Sequence, residues 1–176
     1  PALPGGSRSR SGARVSKLSQ AIAEGDGISF IVEVSDSAGA KSAESQGADG
    51  LAVITNANSV RMTSALPLLH LGRLFDAQGS ASDAVVIKPD LAMWDEGHAL
   101  GLECVVRITE PSELERLLHY FDPEVFLLSA REDADEDPLT VLLELLHDVP
   151  AGKLAIAELV AHGVLEELMP SEPPEV

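Results

Sequence analysis

Aromatic side chains are nearly missing from this chain. Phenylalanine, tyrosine and tryptophan make up only 3% of its 176 residues. A core must therefore be assembled from Leu, Val, Ile and Ala, which suits parallel strands covered by helices. Cysteine is absent except at Cys104, so an intramolecular disulfide and a CxxC metal clip are both excluded. Cys104 lies inside an apolar run and reads as a small core hydrophobe. Basic residues are scarce, with 12 Lys and Arg against 29 Asp and Glu and a net charge of −17. That balance argues against nucleic acid or an anionic membrane surface as partner, because phosphates would be repelled over most of the surface. A phosphorylated ligand would need a local basic pocket. No apolar run reaches the ~18 residues of a membrane span. The N-terminal stretch is Gly-, Ser- and Arg-rich without the apolar segment of a signal peptide, so a cytoplasmic protein is expected.

Chemical motifs are also sparse. The five histidines show no HxH or HExxH spacing, so no metal site is predicted. His70, His98, His119 and His147 are expected on helices, with His162 starting the last one. Ser35, Ser37 and Ser129 lie in no GxSxG elbow, which argues against a serine hydrolase. The glycines at 5–7 and 25–27 lack the spacing of a phosphate loop and read as turns. No cofactor is implied. The run EDADED at 132–137 reads as a solvated loop, since a charge run does not by itself supply the convergent geometry of a cation site.

What the chain does contain is alternation. Hydrophobic residues make up 45% of it, enough for one domain with a sizeable core. Residues 1–14 read as a disordered tail, 15–170 as the domain and 171–176 as a frayed end. A short helix over 15–23 precedes a strand at 28–34, a small-residue helix at 37–47 and a strand at 51–55. A helix interrupted at Pro67 is predicted over 58–71. Residues 72–82 give no clear element beyond a remnant at Leu74 and Phe75. A strand at 83–88 and a helix at 91–100 follow. The clearest unit is GLECVVRITEPSELERLL at 101–118. It holds a strand over 103–109, a turn with Thr109 as cap, and a helix from Pro111 with Leu114, Leu117 and Leu118 on one face. A strand at 125–129, an apolar helix at 138–149, a strand at 153–159 and a helix near 163–169 complete the pattern. Six strands alternating with helices define an α/β class. The natural geometry is a parallel (βα) barrel of TIM type, incomplete or degenerate, with about six recognisable βα units.

The stretch at 101–118 resembles the fifth-strand unit of the indole-3-glycerol phosphate synthase family of tryptophan biosynthesis. The resemblance extends in register. LSQAIAEGDGISFIVEVSDSAG (18–39) is similar to that family's first unit and SDAVVI (82–87) to its fourth strand. EVFLLSARE (124–132) is similar to the sixth, and KLAIAELV (153–160) to the seventh. VVIKPDL (85–91) can also be aligned with the third-strand pattern. On either alignment Lys88 stands at a C-terminal strand end.

The resemblance implies a carboxy-lyase site of lysines and glutamates at the C-terminal strand ends. Glu33 matches the first-strand glutamate and Glu158 the seventh-strand glutamate. With Lys88 they are the catalytic candidates, acting as acid and bases. Arg107 replaces the fifth-strand glutamate, a charge reversal. Ser129 replaces the sixth-strand asparagine, and Arg131 keeps the arginine two residues on. These three are the substrate-binding candidates. The third and eighth strands of the family have no counterpart in this reading. The expectation is a shortened barrel that has lost its chemistry, a pseudoenzyme keeping a small-molecule or interaction role toward a small phosphorylated or anionic ligand. The alternative is an active lyase using Lys88 with Glu33 or Glu158. A further class is a structural partner, because a partial barrel exposes strand edges that a homodimer or protein partner would cover.

Overall fold

The computed structural model describes residues 18–25 and 27–159. The described chain forms two compact units, divided between Val106 and Arg107. The predicted N-terminal tail, the last helix, the eighth-strand position and His162 lie outside the described residues.

The first unit opens with helix α1 (Leu18–Ala23) and strand β1 (Ile31–Glu33). Helix α2 (Ser37–Ser45), β2 (Gly50–Val53), α3 (Ala57–Arg61) and β3 (Leu68–His70) follow. Then come α4 (Leu74–Ala77), β4 (Ala84–Ile87), α5 (Leu91–Ala99) and β5 (Glu103–Ile108), whose last two residues belong to the second unit. Each strand pairs in parallel with the next. Glu33 stands level with Ala52, Ala52 with Leu69, Leu69 with Ala84, and Ile87 with Val106. β2, β3 and β4 are buried along their whole length, which is why they are written as unbroken apolar runs rather than alternating ones. The helices start where side chains cap them. Asp36 accepts from Gly39 N at 2.7 Å and Asp90 from Met93 N at 3.0 Å. α1 is fixed to the start of β5 by Glu103, which accepts from Ser19 N at 2.9 Å and Ser19 Oγ at 2.6 Å. Arg61 ties the end of α3 to Asp83 at 2.6 Å.

The second unit carries the end of β5, helix α6 (Pro111–Leu118), β6 (Val125–Leu128), α7 (Pro138–Asp148) and β7 (Leu154–Ala157). Ser129 N donates to Ile108 O at 3.0 Å, which sets β6 beside the end of β5, and β6 and β7 are parallel, with Leu128 level with Ala157. Leu114 and Leu117 of α6 are buried, as their spacing requires.

Strand order follows sequence order throughout, without the reversal that marks a doubly wound sheet. The described residues form an α/β fold of TIM type with seven strands. Among the described residues the strand count is seven rather than six, because a third strand is present. The expected helix over 58–71 stops at Arg61, and Leu68–His70 pairs with β2 and β4. Pro67 ends nothing helical; its carbonyl accepts from Leu51 N at 2.9 Å and leads into β3. His70 is therefore on a strand, and the segment at 84–87 is fourth in order. The remnant at Leu74 and Phe75 is α4. The cap of α6 is Glu110 rather than Thr109. Glu113 Oε2 accepts from Thr109 N at 2.8 Å and Glu110 N at 3.2 Å, completing a capping box.

Candidate functional site

In TIM-type folds chemistry sits at the C-terminal strand ends. Three of the expected site residues meet there in the second unit. Arg107 is the penultimate residue of β5, Ser129 directly follows β6, and Glu158 directly follows β7. Ser129 and Glu158 continue the β6–β7 register by one step, and Glu158 N donates to Leu128 O at 2.9 Å. Arg107 Nη2 lies 3.2 Å from Glu158 Oε1, and the Ser129 hydroxyl donates to Glu158 Oε2. Both carboxylate oxygens are thus engaged. The ion pair favours the charged carboxylate, which makes Glu158 a weaker proton acceptor than a free glutamate. Arg107 Nε is buried and has no hydrogen-bond partner among the described residues.

Arg131 is held in a different arrangement. Its guanidinium makes a paired contact with Asp133, at 3.0 and 2.9 Å, and a third with Glu110 at 2.5 Å. Hydrogen bonds to Asp133 and Glu110 raise the Arg131 pKa further above its usual value, and Arg131 lowers that of Asp133. Arg131 therefore straps the loop after β6 to the cap of α6. Within the acidic run, Asp137 caps α7, accepting from Thr140 N at 3.1 Å.

Glu33 and Lys88 lie in the first unit, both exposed at strand ends. Neither side chain has an ion-pair or hydrogen-bond partner among the described residues. The register separates them. Lys88 is four residues past the level shared by Glu33 and Ala84, and three strands away, roughly 13 Å along the ladder and 14 Å across it. They form no acid–base pair with each other.

The residue that sequence reasoning missed is His70. It is 2% exposed at the end of β3, with both ring nitrogens buried and the Arg73 backbone beside the ring. Burial lowers its pKa, with the Arg73 backbone and the Asp76 carboxylate opposing the shift. It lines a cavity of about 440 Å³ between the loops after β2 and β3. The signal available in the sequence was the run Leu68–Leu71 bounded by Pro67 and Gly72, a short apolar stretch between breakers that fits a buried strand.

The fold and these strand-end side chains define a TIM-type α/β protein. No helix among the described residues is long and apolar enough to cross a membrane. Neither a protein-family model nor a curated protein matches the sequence. Among solved structures, the chain is similar to N-acetylmannosamine-6-phosphate 2-epimerase from Clostridium perfringens. The two are 12% identical with a TM-score of 0.48, over 73% of this chain and 86% of that one. A likeness at that level carries no conclusion about substrate or reaction.

Proposed function

We propose that this is an indole-3-glycerol phosphate synthase-like barrel protein that has lost the family reaction and binds a small anionic molecule at the ends of β5, β6 and β7. The observation that carries the reading is the engagement of Glu158 on both oxygens by Arg107 and Ser129. Arg107 stands where the family resemblance calls for an acid, and it converts a would-be proton acceptor into half of an ion pair. The partly exposed Arg107 guanidinium supplies the positive charge for a carboxylate or phosphate. Glu33 and Lys88, the other two catalytic candidates, stand apart from each other.

The test is incubation of the purified protein with 1-(2-carboxyphenylamino)-1-deoxyribulose 5-phosphate, with the indole product followed by fluorescence. No turnover is expected, in the parent or in Lys88→Ala. Turnover that Lys88→Ala abolishes would establish the active-lyase alternative. Binding is read separately by calorimetry with the same compound, and Arg107→Gln is expected to weaken it by about tenfold, the worth of one charge-assisted hydrogen bond.

A further inference from the structure

Helix α7 carries more leucine than one buried face needs. Of its five leucines, Leu142 and Leu145 are buried, while Leu139, Leu143 and Leu146 are 57%, 58% and 50% exposed. The exposed three recur at i, i+4 and i+7, so they form one stripe rather than scattered surface residues. At about 100° per residue the stripe lies on one flank of the buried pair, and Glu144 and Asp148 lie on the other. That second flank belongs to α6. The two helices are in contact, and Pro111 of α6 shares a hollow with Thr140, Leu143, Glu144, His147 and Asp148. Leu139 and Leu146 do not line it.

An apolar stripe left in water forgoes the stabilisation of burial. A second copy of the chain is disfavoured as its cover on grounds of charge. Helix α7 starts directly after the acidic run at 132–137 and carries Glu144 and Asp148, so two such helices would meet with like charges. The chain itself supplies a nearer cover. Strands follow one another in sequence order, and helices of successive units pack together, α2 with α3 and α6 with α7. A helix following β7 in the same sense lies beside α7, on the flank that α6 leaves free. The chain leaves β7 at Leu159, whose side chain is 72% exposed.

Residues 160–176 lie outside the described residues. Their sequence places Val164, Leu165, Leu168 and Met169 within one helical arc, with Glu166 and Glu167 outside it. Val164 to Leu168 is the same four-residue step as Leu139 to Leu143, about 6 Å along a helix in each case. The link from Leu159 to Val164 reaches at most about 17 Å, more than the roughly 10 Å between packed layers.

We propose that residues 164–169 cover the leucine stripe of α7, docking as a short amphipathic helix with Val164, Leu165, Leu168 and Met169 against Leu139, Leu143 and Leu146. The contact stands whether or not the reading of Arg107 and Glu158 holds. A helix this short has no stability in isolation, so its order depends on the contact.

Hydrogen exchange of the full chain, read by mass spectrometry, tests that dependence. Amides of 166–169 are expected to exchange at least about tenfold more slowly in the parent than in Leu139→Asp/Leu143→Asp. A second measurement leaves most of the stripe in place. Leu143→Cys with Leu168→Cys is expected to close an intrachain disulfide at least about tenfold faster than Glu144→Cys with Leu168→Cys, whose first thiol is on the α6 flank. Cys104 is buried and takes no part. The proposal is overturned if 166–169 in the parent exchange as fast as an unstructured chain, or if the two cysteine pairs close at equal rates. It is equally overturned if the Leu143→Cys/Leu168→Cys disulfide joins two chains, which would put a second copy on the stripe.

Discussion

Gly97→Ala tests how closely α5 is seated on the sheet. Gly97 is the buried residue of α5, and a Cβ there would overlap Cys104 Sγ on β5. Its other near neighbours, Leu74 Cδ1 and Val85 Cγ1, sit at 3.9 Å, ordinary contact distance. Two effects compete. Alanine favours the helix over glycine by about 1 kcal/mol. Forcing a methyl group into a packed interior costs roughly 2 kcal/mol. Cys104 is only 4% exposed, so its sulfur has little room to turn aside. The overlap wins, and Gly97→Ala should destabilise the protein by about 1 kcal/mol. Cys104→Ala alone should also cost about 1 kcal/mol, for lost burial of the sulfur. In the double variant the overlap is gone and the helix gain remains, so the two costs do not add. The double should lie near the parent, a coupling of about 2 kcal/mol. Urea unfolding read by Trp94 is the assay. Trp94 is the single tryptophan and lies on α5 itself, so its signal reports this unit. A Gly97→Ala protein more stable than the parent, with effects that add to within about 0.5 kcal/mol, would refute the reasoning.

Asp83→Ala removes the acceptor for Arg61 Nη2 at 2.6 Å and for Leu68 N at 2.8 Å, leaving two part-buried donors unmet. A loss of about 3 kcal/mol in urea unfolding is expected, and a loss below about 1 kcal/mol would show that water replaces the carboxylate there. Burial, with the Glu103 carboxylate second, pushes the Cys104 thiol up from 9.0 to about 11. The folded protein should therefore resist alkylation at neutral pH and react only on unfolding, as followed by mass spectrometry. Because the folded state holds this proton more tightly than the unfolded one, its contribution is complete below pH 9.0 and is lost as pH rises toward about 11. That loss is on the order of 2 kcal/mol, and the same pH slope in Cys104→Ala would exclude Cys104 as its source.

The units centred on 103–118 and 125–148 were legible in the sequence because each carries its own signal. An unbroken apolar run specifies a buried strand, and leucines at helical spacing specify the face that covers it. Third-strand residues Leu68–His70 carry a weaker signal, a short apolar stretch between Pro67 and Gly72. Three residues set no period, Pro67 suggests a break, and a histidine suggests surface. Pairing with β2 on one side and β4 on the other makes them a strand. The capping box at Glu110 is similar in kind, since Thr109 is the better cap by residue type and only the reach of Glu113 settles the matter.

The site divides along the same line. By itself the sequence determined that Glu33, Lys88, Arg107 and Glu158 would stand at or near strand ends, because charges inside apolar runs are tolerated only where they reach solvent or a partner. Only the tertiary structure decided that Arg107 and Glu158, 51 residues apart, are partners, and that Glu33 and Lys88 are not. It alone decided that His70 is buried at the end of a strand. Helix and strand propensities act over a few neighbouring residues, whereas pairing and desolvation depend on which distant segments the register brings alongside.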